Sequence, residues 1–457
     1  METKLRKRGS ITGAVMFFMV CALPVFATVL FGAVSNGTFA ILSMVFGLTL
    51  VFWFLDIWRS GEFRINTSLL QLPLLGLILI GLFQLLPLGG DSSVSELLSV
   101  NPSSSLTLDP TATKFAIFKL SVFLIFFALA LIYINSPDRV RKVVYTIIIF
   151  GAVIAFIGVL QRLASPNFIY GMREVDYANP FASYVNQHHF AALMEMTIGL
   201  TLGLLFGNSI EKDKRLLLII AIVLMGIAII FTGSRGGFLS LVGVIAFLVL
   251  VNISFPGTDG GGKAEGTALK RNLTLIGGSV LLILVLLTSV IWLGEGSVRR
   301  IGDVSQPDFT NGRLHFWSVT LEMIKENPIL GSGLEAYGVA FTKHDDWDGN
   351  LRVEQAHNDY LQIFADAGII GFLCIVAFVF LLFRNGLKTI KESANRFRRG
   401  VAVGALAGCF GILIHSFFDF PLRTNANSLF FLLLVVLATA TIKYPKLYRK
   451  PRLVQAS

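Results

Sequence analysis

Histidine is the side chain best suited to exchanging a proton near neutral pH, and one histidine of this chain lies where its surroundings change character. Residues 355–362 read Gln-Ala-His-Asn-Asp-Tyr-Leu-Gln, inside a polar stretch from about Gly294 to Asp366 that interrupts a largely apolar sequence. His357, flanked by Asn358, Asp359 and Tyr360, would suit base-assisted transfer onto a hydroxyl or amine if cations lay beside it. Two arginines offer that charge. Arg235 lies in Thr232-Gly233-Ser234-Arg235-Gly236-Gly237, a short turn between apolar runs whose glycines let backbone N–H groups approach an anion. Arg313 lies in Asn311-Gly312-Arg313-Leu314-His315-Phe316-Trp317 and opens an amphipathic helix through Ile324, with its anion-favouring N-terminus. A guanidinium donates a planar fork of hydrogen bonds to phosphate and stays charged while doing so.

Each of these residues has a plainer reading. Arg235 is then a side chain snorkelling to a membrane interface, Arg313 a solvated surface charge, and His357 a histidine satisfied by its neighbours. His315 and Trp317 read as packing or interface residues. His344 and His357 lack helical spacing and no HExxH occurs, so neither a metal site nor a cofactor is expected. Two further segments are polar at the ends of apolar runs. Asn186-Gln187-His188-His189-Phe190 opens a run containing Glu195, a carboxylate that should not face lipid. His415-Ser416-Phe417-Phe418-Asp419-Phe420-Pro421-Leu422-Arg423 closes another, and Asp419 and Arg423 either pair with each other or close a site from its opposite wall.

The elements that must hold these groups are membrane helices. The 457 residues are 54% apolar and only 14% charged, with too little charge to cover a soluble protein of this size. A hydrocarbon core takes roughly 20 apolar residues per helix. On that measure twelve spans are expected, near 11–34, 38–57, 69–87, 114–134, 140–161, 187–207, 215–232, 237–254, 273–293, 367–384, 400–418 and 427–442. Their apolar runs are continuous rather than alternating, so they predict an all-α polytopic protein and not a barrel. Pro24 and Pro73 fall inside spans and are expected to kink them. Cys21, Cys374 and Cys409 also fall inside spans, with no metal-ligand spacing.

The formal net charge of +10 reads as membrane topology and not as nucleic-acid binding. Lysine and arginine cluster at Lys4 to Arg8, Arg59/Arg64, Arg139 to Lys142, Lys212 to Arg215, Lys270/Arg271, Arg384 to Arg399 and Lys443 to Arg452. These clusters fall on alternate connections, which predicts both termini on the cytoplasmic side. The polar stretch, the SRGG turn and segment 419–426 then share the outer side. The expected organisation is an N-terminal helical region over 1–110, core helices with the SRGG turn over 111–293, a large outer loop over 294–366, and C-terminal helices with a basic tail over 367–457.

Five segments carry a resemblance: SRGG at 234–237, GRLHFW at 312–317, NPILGSGLEAY at 327–337, AHNDYLQ at 356–362 and HSFFDFPLR at 415–423. In order and spacing, over about residues 110–440, the chain resembles the O-antigen ligase/polymerase superfamily of bacterial membrane glycosyltransferases. One departure is that many relatives read Asn-x-Asn-His-Phe-Ala where this chain has Asn186-Gln187-His188-His189-Phe190-Ala191.

The resemblance implies a glycosyltransferase-C-like fold in the bacterial inner membrane. It implies transfer of a glycan from undecaprenyl diphosphate, at the periplasmic face, to an acceptor such as lipid A-core. A growing glycan or a protein are the alternative acceptors, and an inorganic-carbon transporter is a more distant alternative. It further implies that Arg235 and Arg313 hold the diphosphate, that His357 activates the acceptor, and that the chemistry is metal-independent and inverting. Ser234, Asn358, Asp359, Tyr360, Asn186, His189, Asp419 and Arg423 are the residues expected to support them, with roles for His188 and Glu195 left open.

Overall fold

The computed structural model describes residues 11–88, 104–176, 178–207, 210–255, 277, 312–347 and 352–441. Thirteen α-helices run through them: α1 (Ile11–Val29), α2 (Asn36–Ser60), α3 (Gln71–Gln84), α4 (Pro110–Tyr133), α5 (Pro137–Ala164), α6 (Gln187–Phe206), α7 (Lys212–Thr232), α8 (Arg235–Ser254), α9 (Arg313–Glu326), α10 (Tyr337–His344), α11 (Asp359–Glu392), α12 (Arg396–His415) and α13 (Asn425–Thr439). A two-stranded hairpin pairs β1 (Phe168–Ile169) with β2 (Arg173–Glu174). Among the described residues, nine helices are long and apolar enough to cross a membrane, and α3 and α13 are shorter apolar helices. The protein is an all-α polytopic membrane protein. The expected span at 273–293 lies, apart from Gly277, outside the described residues; the other eleven expected spans each fall on one of these helices. Pro73 sits in the first turn of α3, where its missing N–H costs no helix bond, and α1 runs on through Pro24.

Polar caps set where the helices begin. Ser35, Asp109, Ser136, Asn186, Ser234, Asn358 and Asn395 each accept a hydrogen bond from a backbone N–H in the first turn they precede. In lipid this matters more than in water, because no solvent satisfies the orphan amides.

Two helices form the centre. The most apolar window of α6 is 89% buried and that of α12 is 83%, whereas the other spans are half buried or less. Their sequences explain the contact. Gly199 and Gly203 lie on one face of α6, and Gly400, Gly404 and Gly408 recur at the same four-residue spacing on α12. A Cβ added to Gly199 would lie 2.7 Å from the Gly408 amide nitrogen, and one on Gly404 would lie 2.5 Å from the Leu200 carbonyl. The two backbones therefore touch, as small residues permit in membranes, where dispersion and not the hydrophobic effect drives association. The crossing also aligns the polar ends of both helices, so that Glu195 of α6 meets His415 at the end of α12.

The stretch Asn327–Ala336 docks against α11 where Gly368 interrupts the helix with φ 61° and ψ −165°. Ser332 N donates to Ala365 O at 2.8 Å, Gly333 N to Asp366 O at 3.1 Å, and Ile369 N to Pro328 O at 2.8 Å. Gln84, at the end of α3, fastens the junction. Its Nε2 donates to the carbonyls of Leu330 (2.6 Å) and Asp366 (2.9 Å), and its Oε1 accepts from Leu334 N at 2.9 Å. Glu335 follows in the left-handed region at φ 61°, which directs its carboxylate to Lys119 at 2.6 Å and to Arg423 at 3.2 Å. Burial opposes the charge on Glu335, but the two cations outweigh it and bring its pKa down from 4.5 to about 2.

Two outcomes follow from this packing. Gly404→Leu should cost at least about 3 kcal/mol by driving a side chain into the α6 backbone, read as a fall in the thermal midpoint of the purified protein. Gly47→Leu, whose Cβ would meet nothing within 4 Å, should leave that midpoint unchanged. The Glu335 pairing has a pH signature. Its folded pKa lies below the unfolded value, so its stabilisation is full above about pH 4.5 and is lost as pH falls towards about 2. The wild-type midpoint should therefore fall more steeply below pH 5 than that of Glu335→Gln, and identical pH profiles would refute the assignment.

Candidate functional site

The polar groups singled out in the sequence gather at one end of the bundle around a carboxylate. Asp419 lies in the connection between α12 and α13 and is 2% exposed. Its Oδ1 lies 3.2 Å from His357 Nδ1 and its Oδ2 lies 3.8 Å from Arg313 Nη2. Its own turn is fixed by Phe420 N, which donates to Oδ1 at 2.9 Å. Burial by itself would raise the Asp419 pKa. The hydrogen bond from His357 and the positive potential of His189, His188 and His357 hold it well below the usual carboxylate range.

His357 is the residue this carboxylate orients. It adopts φ 50°, a conformation non-glycine side chains rarely take, just before Asn358 caps α11 by accepting from the Tyr360 and Leu361 amides. The imidazole packs edge-on to Phe420 with centroids 4.9 Å apart and lies over Phe316 of α9. Its side chain keeps 31% exposure, so one edge meets Asp419 while the ring stays accessible. With the Nδ1 hydrogen donated to Asp419, the lone pair is on Nε2. Trp317 does more than pack: its Nε1–H donates to Ala356 O at 2.9 Å, tying α9 and its first residue Arg313 to the His357 loop.

The SRGG turn reaches the same place from the α6–α12 side. Ser234 caps α8 by accepting from Gly237 N at 3.1 Å, leaving Arg235 exposed at the first helical position. Gly236 is where close approach is needed. A Cβ there would lie 3.0 Å from His415 Nε2 and 3.5 Å from the Phe418 Cβ. Gly236, next in sequence to Arg235, thus borders segment 415–418, whose next residue is Asp419. Behind the turn, His415 Nδ1 and Glu195 Oε1 form a fully buried pair at 3.2 Å. That pair answers the expectation that Glu195 avoids lipid.

The remaining expected residues divide into caps, anchors and packing. Asn186 caps α6 by accepting from His188 N. His189 is buried, its Nδ1 2.7 Å from Thr424 Oγ1 and its ring edge-on to Phe420 at 4.8 Å, so Phe420 is wedged between His189 and His357. Tyr360 donates to Leu413 O at 2.7 Å. Asp359 accepts from Ser416 Oγ at 2.9 Å.

Asp419 and Arg423 do not pair with each other: Arg423 donates to Asp366 at 2.7 Å and approaches Glu335, while Asp419 serves His357 and Arg313. Burial works against the Arg423 charge, and the carboxylates of Glu335, Asp366 and Asp359 more than offset it, so its pKa is raised. Beneath Arg423 lies a cavity of about 220 Å³, apolar apart from this charged end.

Sequence reading placed segments 327–337 and 415–423 and the stretch up to Asp366 on this side, but it gave no partners to Asp366, Glu335, Lys119, His415 or Phe420. The four-residue glycine spacing on α6 and α12 would have brought Glu195 to His415. No local signal would have brought Lys119 to Glu335, which are 216 positions apart.

Among the described residues, one group has a metal-ligating composition, namely His315, Asp345 and Asp346. Asp345 approaches Nε2 at 2.7 Å and Asp346 approaches Nδ1 at 3.7 Å, on opposite edges of a ring stacked on Trp347. In this arrangement each carboxylate meets a different ring nitrogen of His315.

Comparison with known proteins finds one family model and one curated relative. Residues 220–376 match the family model described as O-antigen ligase, a stretch that holds the SRGG turn, Arg313, the docked 327–336 loop and His357. An uncharacterized protein of Haemophilus influenzae is 22% identical over 276 residues, 56% of this chain and 62% of that protein. The chain thus spans about three fifths of the length of that curated relative. The matched domain supports membership of the O-antigen ligase/polymerase superfamily.

Proposed function

We propose that the protein transfers a glycan from undecaprenyl diphosphate to the hydroxyl of a lipid-linked acceptor such as lipid A-core. The reaction takes place at the periplasmic face of the bacterial inner membrane, with both termini cytoplasmic. The observation that carries this reading is that one buried carboxylate, Asp419, contacts both an accessible histidine and an arginine. That is the arrangement expected of a base held in register with an anion site. The orientation rests on charge: Arg59, Arg139, Arg141, Lys214, Arg215 and Arg396 to Arg399 lie at the ends of their helices away from His357.

In this reading the acceptor oxygen attacks the anomeric carbon as the bond from that carbon to the phosphate oxygen breaks. His357 Nε2 takes the hydroxyl proton. Asp419 fixes the ring's orientation and stabilises the imidazolium that forms, as carboxylate partners of catalytic histidines do. The electron pair leaves with the diphosphate, whose growing charge is met by the guanidinium groups of Arg235 and Arg313 and by the first-turn amides of α8. Attack from the face opposite the leaving group inverts the anomeric centre. Cations held in place by the fold stabilise the leaving group with little reorganisation during the reaction.

The test uses the purified protein in liposomes with an undecaprenyl-diphosphate glycan and three acceptors offered separately: lipid A-core, a second carrier-linked glycan, and protein. Lipid A-core should gain the mass of the glycan. Gain by the carrier-linked glycan instead would make the protein a polymerase, and gain by protein an oligosaccharyltransferase. His357→Ala should lower kcat by about 10²–10⁴. Arg235→Ala and Arg313→Ala should each lower it by about 10²–10³. All three variants should still accumulate in the membrane. Transfer at the wild-type rate by His357→Ala would overturn the assignment of the base.

A further inference from the structure

Segment 416–423 joins α12 to α13 and is fastened to α11 at both of its ends. At its start, Ser416 Oγ donates to Asp359 Oδ2 at 2.9 Å, and Asp359 N donates to Ser416 O at 2.9 Å. At its end, Arg423 Nη2 donates to Asp366 Oδ2 at 2.7 Å, while Nη1 lies 3.2 Å from Glu335 Oε2. Leu422 N adds a longer contact to Asp359 Oδ2 at 3.4 Å. Asp359 and Asp366 are about two turns apart on one helix, and Ser416 and Arg423 have the same sequence separation. Asp419 stands between the two fastenings, directed at His357 and Arg313.

Resting on the reading of Asp419 as the group that orients His357, we propose that Arg423 is a positioning residue for the transfer reaction. By bridging Asp366 and Glu335 it fixes the far end of segment 416–423 and so holds Asp419 in register with His357. The bridge needs a fork. One amino group meets Asp366 and the other faces Glu335, which a lysine ammonium would do less well. Lys119, 2.6 Å from Glu335, completes the charge balance and ties the clamp to α4. The left-handed backbone at Glu335 shows local strain accepted to deliver this carboxylate, as expected where side-chain placement is under constraint. The clamp acts through Asp419: neither Arg423 nor Asp366 contacts His357 or Arg313 among the described residues.

The same liposome assay tests this with Arg423→Lys, Arg423→Gln and Arg423→Gln/Asp366→Asn, each with and without Asp419→Asn. The double variant removes both buried charges together, so it remains informative where Arg423→Gln alone, leaving Asp366 unpaired, fails to fold. Misplacing Asp419 by about 1 Å should lower kcat by about 10²-fold with the donor KM within twofold of wild type. Arg423→Lys should recover part of that loss. In the Asp419→Asn background the Arg423 substitutions should cost nothing more. Full additivity with Asp419→Asn, or a raised KM at unchanged kcat, would overturn the proposal.

Hydrogen exchange of the purified proteins gives a readout independent of activity. The amides of 417–420 should exchange faster in the Arg423 variants, with those of α12 unchanged, and unaltered exchange at 417–420 would refute the clamp. A wild-type protein that transfers no glycan counts against the transfer reading, and exchange then decides the clamp alone.

Discussion

The polar end of this protein hangs from the contact between two helix backbones. Gly199 and Gly203 of α6 meet Gly404 and Gly408 of α12 so closely that no Cβ fits between them. In a bilayer there is no hydrophobic gain from joining two apolar helices, so contact this close must be stabilised by dispersion over a matched surface. The crossing sets the relative height of the two helices. That height seats Glu195 against His415, and with His415 the start of the segment that carries Asp419. Gly236 of the SRGG turn then packs on the His415 imidazole, which brings Arg235 to the same edge. A slip between α6 and α12 would part Glu195 from His415, against which the SRGG turn packs.

The second wall is built from the other direction, by a loop docked on an interrupted helix. Gly368 breaks the regular path of α11, and the amides of Ser332 and Gly333 bond the carbonyls of Ala365 and Asp366 beside that break. The polar groups exposed by the kink are therefore paired with protein and not left to lipid. The result is a rigid shelf on which α9, the His357 loop and the start of α11 sit, with Trp317 joining the first two. Charged groups are concentrated at this junction and are mutually compensated: Lys119 with Glu335, and Arg423 with Glu335 and Asp366. Such pairs are weak sources of stability, because desolvation cancels much of their attraction. Their value is geometric.

Much of the fold was legible in the sequence because the bilayer imposes one ruler on every helix. Continuous apolar runs located α1 to α8, α12 and α13 to within about five residues, whereas α11 extends well beyond its expected span at both ends. The site was legible to the extent that its members carry local signals: a glycine-flanked arginine in a tight turn, an arginine opening an amphipathic helix, a histidine in a polar loop. Pairing was not legible. Asp419 and Arg423, four residues apart, left open either a mutual ion pair or a place on the site's opposite wall; they face different partners, with a turn of 3₁₀ helix from Pro421 to Arg423 between them. Lys119 was not singled out by any local signal. Only tertiary contact reveals it as the distant end of the ionic array.

The central claim is that Arg235 and Arg313, converging from two separate walls, hold a diphosphate beside His357. The most direct measurement is a structure of the His357→Ala protein in lipid nanodiscs with an undecaprenyl-diphosphate glycan bound and unreacted. The account predicts both phosphates between the two guanidinium groups, with the first sugar's anomeric carbon facing the vacated imidazole position above Asp419. A diphosphate bound elsewhere, or contacting neither arginine, would contradict it.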